Sequence, residues 1–184
     1  MNLLSLKLES NTKRIVRDES LKLKVYFKLS GLVRDLFNQK NWEEAWDKHD
    51  LTLRMDYHLK IYKNGLIKKL LSDLKFVRKA KFYWSRNPDL PYRIWVMIVD
   101  EDGNPILPKD EEEAKSVFFE GFKSFSFFGK EIGLGEHGLI ANMKAKWSKH
   151  SFIDKGEIEA NSNKVSIEVI EYKDYSLNRE TILS

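Results

Sequence analysis

The residues of this chain that could do chemistry are concentrated in one basic segment, residues 63–93. The segment contains nine Lys or Arg residues and two acidic ones, Asp73 and Asp89. Clustered positive side chains attract phosphate groups, and each contact releases condensed counterions, so the resulting affinity falls with salt. Exposed aromatic rings among such charges can stack on bases. The segment therefore predicts binding of a nucleic acid, DNA or RNA, mainly through phosphate contacts. The residues expected to bind it, with Tyr83 as the stacking residue, are Lys68, Lys75, Arg78, Lys79, Lys81, Tyr83 and Arg86.

The positive charge of this segment could also serve solubility or attract a protein. Lysines on the solvent-facing side of a helix or strand keep a protein soluble, and lysines on sheet edges oppose aggregation. An acidic protein is the second kind of partner that such a surface would attract. The acidic runs at residues 100–102 and 110–113 could also neutralise the segment within the fold or across a homodimer.

A second group of residues could support catalysis. Glu171 and Lys173 follow an apolar, strand-like run, VSIEVI, and Asp154 lies upstream of it. Over residues 154–173 this arrangement resembles the active-site pattern of the PD-(D/E)xK nucleases. In that family two carboxylates hold Mg²⁺ and the lysine polarises the attacking water. The resemblance implies a magnesium-dependent nuclease as one alternative function.

The histidines and the absence of cysteine predict no metal site. None of the four histidines stands in a metal-binding spacing such as H-E-x-x-H. His137 lies in a glycine-rich stretch, residues 129–138, that we expect to be a loop, where functional residues are often found. Without cysteine the chain has no disulfide, no thiolate and no Cys-based zinc site. We therefore expect no metal, no cofactor and no catalytic residue, and a protein that is not an enzyme.

Length and composition indicate one globular domain, residues 1–184. The hydrophobic fraction is 42%, the charged fraction is 33% and the net charge is +4, which is typical of a folded chain with a densely ionic surface. Residues 174–184 are expected to form a flexible tail. The N terminus lacks the features of a signal peptide, and no window is apolar enough to span a membrane. We therefore expect a cytoplasmic protein with no membrane partner.

Apolar residues at every second position predict strands. The alternation is clearest at residues 21–29, 51–62 and 139–147. Weaker patterns predict further strands at residues 3–8, 82–84, 92–99 and 164–172. If these strands share a sheet, their solvent-facing basic residues are expected to share one face, and those residues are Lys22, Lys24, Lys28, Arg54, Lys60, Lys144 and Lys146.

Three regions of the sequence are predicted to be helical. Apolar residues recur at helical spacing over residues 66–77, although Asn64-Gly65 before them could instead form a hairpin turn. Acidic residues favour the first turn of a helix from Asp110 to about Phe125. Residues 32–50 suit two short helices. The predicted fold class is therefore α+β, a curved, largely antiparallel sheet with helices packed on one face.

Six phenylalanines lie close together in the sequence VFFEGFKSFSFFG. Phe118, Phe122 and Phe125 fall on one stripe of the predicted helix and are expected in the core. Phe127 and Phe128 lie just beyond that helix and could anchor a protein partner or a second subunit. The main alternative to nucleic-acid binding is therefore a protein-interaction module, such as an inhibitor or accessory factor, that docks on an acidic or apolar surface.

Overall fold

The structure is a computed structural model in which the described residues are 2–32, 51–65, 68–84, 94–99, 104–106, 110, 116–147 and 155–172. In sequence order the elements of these residues are β1 (Asn2–Ser10), β2 (Arg14–Val16), β3 (Ser20–Leu32), β4 (Leu51–Asn64), β5 (Lys69–Trp84), β6 (Ile94–Val99), β7 (Pro105–Ile106), β8 (Ser116–Phe128), α1 (Gly129–Ile132), β9 (Gly135–Trp147), β10 (Gly156–Asn161) and β11 (Val165–Ile170).

The strands form two sheets that curl around one core as a half-barrel. Sheet A has three strands in the order β1-β3-β8. Sheet B has eight strands in the order β2-β11-β9-β4-β5-β6-β7, with β10 also paired to β9. Among the described strands, β2 and β11 are the one pair that runs parallel, and the other pairs are antiparallel.

The predicted α+β class, with helices packed on one face of a sheet, is wrong. Among the described residues the longest helix is the four-residue α1. Of the segments predicted as helices at 66–77 and 110–125, residues 69–77 lie in β5 and residues 116–125 lie in β8. The Asn64-Gly65 alternative, a turn between two strands, matches the observed pairing of β4 with β5. Two short helices were predicted at 32–50, of which Leu32 ends β3 and residues 33–50 lie outside the described residues. The tail predicted at 174–184 also lies outside them.

The helices predicted in the regions of β5 and β8 were wrong for the same physical reason. In β5 and β8, apolar side chains lie on both sides of the strand, and the inner side also carries a basic residue, Arg78 in β5 and Lys123 in β8. The two-residue period is therefore hidden, and a helical period fits by coincidence. Cross-strand pairing with β4 and β3 then decides the conformation, since strand preference depends on packing against neighbours. The aromatic residues of β8 suit a pleated sheet, and Gly121 in its centre disfavours a helix.

The strands predicted at 21–29, 51–62 and 139–147 are confirmed as β3, β4 and β9. Odd-numbered residues of β3 and β4 face the core and even-numbered ones face outward, because successive side chains alternate between the faces of a sheet. The buried residues of these two strands are Leu21, Leu23, Val25, Phe27, Leu29, Leu53, Met55, Tyr57, Leu59 and Ile61. On β9 the small residue Ala145 lies opposite the large Tyr57, so the two side chains differ in size across the pair.

Among the described residues, hydrogen bonds from backbone N–H groups link the two sheets at two places, which we call joints. At one, the side-chain amide of Asn163 makes the two hydrogen bonds that a neighbouring strand would make to Leu8 of β1. Its Oδ1 accepts from the Leu8 N–H at 2.9 Å and its Nδ2 donates to the Leu8 carbonyl at 3.0 Å. At the other, the turn after β2 is hydrogen-bonded to the start of α1. There the Gly129 N–H donates to the Glu19 carbonyl at 3.0 Å and the Lys130 N–H donates to the Arg17 carbonyl at 2.7 Å.

Tyr57 carries a buried hydroxyl in the centre of this core. The residue is 2% exposed, its ring stacks on Phe76 with centroids 4.9 Å apart, and its hydroxyl has no hydrogen-bond partner among the described residues. Burial raises the pKa of Tyr57 well above its ordinary value of 10.0, and the charge of Arg78 opposes that rise only in part. The phenol therefore stays neutral, and its desolvation is not offset by a hydrogen bond.

Replacing Tyr57 by Phe is expected to raise the free energy of unfolding by about 1 kcal/mol, because it removes an unsatisfied polar group and keeps the stacked ring. Urea denaturation followed by circular dichroism measures the change. Tyr172→Phe is the control, since Tyr172 is 77% exposed and should leave stability unchanged. A loss of stability in Tyr57→Phe would show that the hydroxyl has a partner, such as an internal water, in the folded protein.

Candidate nucleic-acid interface

The basic segment of the sequence forms one strand, β5, whose outward side is strongly positive. Lys75, Lys79 and Lys81 lie on that side and are exposed. None of the three makes an ion pair with any described residue. Arg78 lies on the other side, opposite the buried Met55 of β4, so the strand separates it from the three lysines.

The neighbouring strands add cations to the same outward surface. On β4, Arg54 lies directly opposite Lys79 of β5. Further along the same side, His58 of β4 lies between Lys144 of β9 and Lys75 of β5. We call this surface of sheet B the basic face, and its members are Arg54, His58, Lys60, Lys75, Lys79, Lys81, Lys144 and Lys146.

Four carboxylates share the basic face and neutralise part of it. Asp56 accepts from Arg54 at 3.0 Å, Asp73 contacts His58 at 2.5 Å, and Glu157 of β10 contacts Lys144 at 2.8 Å and Lys146 at 3.3 Å. The fourth is Glu159, which lies opposite Lys144 on β10. Seven Lys or Arg residues minus four carboxylates leave three positive charges in excess among the described residues, without counting His58.

The ion pair between β9 and β10 shifts the pKa values of Glu157 and Lys144. The hydrogen bond from Lys144, followed by that from Lys146, lowers the pKa of Glu157 below its ordinary value of 4.5. The hydrogen bond to Glu157 raises the pKa of Lys144 above 10.5. Both groups are therefore charged at neutral pH, and Glu157 competes with any external anion for these two lysines.

A shallow cleft of about 550 Å³ lies in the middle of the basic face. Its charged walls come from four strand positions that the register brings together, Arg54, Lys75, Lys144 and Lys146, with His58 among them. One carboxylate, that of Asp56, lines it. The cleft can therefore accept an anionic group that contacts cations from three adjacent strands at once.

The structure brings together three of the seven residues predicted to bind nucleic acid, Lys75, Lys79 and Lys81. Lys68 lies seven residues before Lys75, about 23 Å along an extended strand, and its Nζ lies 4.1 Å from the centroid of the Tyr62 ring. Arg78 faces inward, the Tyr83 side chain is not described and Arg86 lies outside the described residues.

The condition for one shared basic face, that the predicted strands belong to one sheet, is not met, because β3 lies in sheet A and β4 and β9 lie in sheet B. Lys22, Lys24 and Lys28 belong to sheet A, whose apolar side faces the shared core, so they point away from the basic face. The predicted basic helix is also absent, because residues 69–84 form β5. The sequence did not indicate the role of the acidic residues of β10, since their pairing with Lys144 and Lys146 depends on strand register.

The residues of the nuclease alternative are only partly described. Glu171 forms an ion pair with Arg17 at 3.0 Å, whereas Asp154 and Lys173 lie outside the described residues. In the described part of the chain no group of three or more His, Asp or Glu residues could hold a metal ion. His137, expected in a loop, lies near the start of β9 and is paired there with Ile167 of β11. Its Nε2 contacts the Gly133 carbonyl at 2.8 Å.

The two phenylalanines proposed as a protein anchor lie on opposite sides of β8. Phe127 is 8% exposed and belongs to the core, whereas Phe128 is 48% exposed.

The described helices include none that is both long and apolar enough to cross a membrane.

The fold and the basic face define this protein as a curled β half-barrel with a cationic sheet surface. Comparisons with protein-family models, with curated proteins and with solved structures found no match.

Proposed function

We propose that this protein binds nucleic acid through the basic face, mainly by contacts to the phosphate backbone. The observation that supports the proposal best is that Arg54 of β4 lies directly opposite Lys79 of β5, two positive charges of which Asp56 neutralises one. Like charges in such positions destabilise a sheet. A bound polyanion would remove that repulsion, and each phosphate contact would release counterions.

The length of the basic face favours a polyanion over a small anion. Lys75 and Lys81 are six residues apart on β5, which corresponds to about 20 Å along an extended strand. That distance matches about six phosphates along one strand of duplex DNA. A single phosphate bound in the cleft beside Lys75 would leave Lys79 and Lys81, which do not line the cleft, without a ligand.

The test is fluorescence anisotropy of labelled single-stranded RNA, single-stranded DNA and duplex DNA with the purified protein at about 50 and about 200 mM salt. Contacts to four phosphates would lower the affinity roughly 100-fold or more between the two salt concentrations. Affinity that stays constant with salt, or no binding at the lower concentration, would contradict the proposal. An acidic protein would then be the partner to seek for the basic face.

A further inference from the structure

The outward surface of sheet A, remote from the basic face, carries exposed aromatic rings. Tyr26 of β3 and Phe122 of β8 are cross-strand neighbours, with ring centroids 5.9 Å apart. They are 36% and 53% exposed, and Phe128 at the end of β8 is 48% exposed. Aromatic side chains bury a large area when they are covered, so a group of them on the outward side of a sheet offers a contact surface for a ligand.

The side chains between these rings are small and polar. On β8, Ser124 and Ser126 lie between Phe122 and Phe128 and face the same side. Their cross-strand neighbours on β3 are Lys24 and Lys22, respectively. Phe122 and Phe128 are six residues apart, about 20 Å along the strand. The aromatic rings therefore flank two serine hydroxyl groups, and two lysines of β3 lie beside those hydroxyl groups.

The charge of this surface suits an anionic ligand. The Nζ of Lys24 lies 5.1 Å from the centroid of the Phe122 ring, and the Nζ of Lys130 lies 5.2 Å from that of Phe128. Both outward carboxylates of the three strands are already paired, Glu9 with Lys7 at 2.6 Å and Glu120 with Lys28 at 3.9 Å. Lys22 and Lys24 make no ion pair with any described residue. The ammonium groups of Lys22 and Lys24 therefore lie near the rings without an ion pair, and Glu9 is the cross-strand neighbour of Lys24.

We infer that this surface, which we call the aromatic track, binds single-stranded nucleic acid. Its members are Lys22, Lys24, Tyr26, Phe122, Ser124, Ser126, Phe128 and Lys130. Unpaired bases stack on the rings at Phe122 and Phe128, and the lysines contact the phosphates between them. A duplex cannot bind in this way, because its bases are already stacked on each other. The inference takes its ligand class from the proposed function but does not depend on the basic face.

The experiment compares the double variant Phe122→Ala, Phe128→Ala with the wild-type protein, using a 12-nucleotide single strand and the duplex of the same sequence as probes. Loss of two stacked bases at about 1 kcal/mol each would lower single-strand affinity on the order of 30-fold. Affinity for the duplex and its dependence on salt should stay unchanged. The matched control is Leu70→Ala, Leu134→Ala, because these side chains are 46% and 50% exposed but lie outside the track. Ultraviolet cross-linking of a 4-thiouridine strand should mark peptides from β8.

Each outcome separates this inference from the proposed function. If the aromatic variant loses single-strand affinity and keeps duplex affinity, the inference is supported. If the protein binds both probes and the variant binds them as the wild-type protein does, the inference is overturned while the proposed function stands. It is also overturned if the variant disrupts a dimer in sedimentation and binds the single strand normally, since the rings then form a self-association surface. Single-strand binding that needs the rings but not the lysines of β5 would support the track and contradict the basic face.

Discussion

The double variant Lys79→Glu, Lys81→Glu is expected to bind nucleic acid about 60-fold more weakly than the wild-type protein at about 0.1 M salt. Each phosphate contact contributes about 0.9 to the slope of log affinity against log salt, so two contacts account for that factor. The slope itself should decrease by about 1.8. Fluorescence anisotropy with duplex DNA over a series of salt concentrations measures both quantities. The two side chains are exposed, so the fold should be retained.

The matched control for this variant is Lys13→Glu, Lys164→Glu, which changes the net charge equally at exposed positions outside the basic face. If both variants lose the same affinity, the effect comes from net charge and the basic face is not the binding site. Glu157→Gln provides a test of opposite sign. It removes the carboxylate that holds Lys144 and Lys146, and it should therefore strengthen binding severalfold.

Gly129→Ala is expected to lower the free energy of unfolding by about 2–3 kcal/mol, because overpacking at a rigid joint cannot be relieved by moving a side chain. A Cβ atom at this position would lie 2.8 Å from the Val16 carbonyl oxygen and 2.9 Å from the Arg17 Cα. Both are backbone atoms of the turn that joins the two sheets. Relief of the contact would lengthen the hydrogen bond from the Gly129 N–H to the Glu19 carbonyl.

Guanidinium denaturation measures this loss, with Ser124→Ala as the control on the same part of the chain. Ser124 is exposed on β8 and should change stability by less than about 0.5 kcal/mol. Equal stability of Gly129→Ala and the wild-type protein would contradict a rigid joint between β2 and α1. It would show that the two sheets can separate there at little cost.

Sequence alone was sufficient for the strands that have one apolar and one polar side. In β3 and β4 the alternation of residue types identifies both the strand and its buried face, because burial of one face requires a two-residue period. In β5 and β8 the same period is hidden. Phe122 and Phe128 face outward while Arg78 faces inward, so no apolar pattern marks the inner side, and pairing with neighbouring strands decides the conformation.

For the candidate sites, too, the sequence predicted one part and the tertiary structure decided the other. The sequence identified the excess of positive charge between Lys63 and Arg93 and the lysines on the outward sides of the strands. The tertiary structure decided which of them meet. Strand order places β9 and β5 on either side of β4, so Lys144, Arg54 and Lys79 share one surface. It places β3 in the other sheet, where Lys24 lies beside Phe122. Strand order and register depend on contacts between residues far apart in the chain, and local residue patterns carry no information about those contacts.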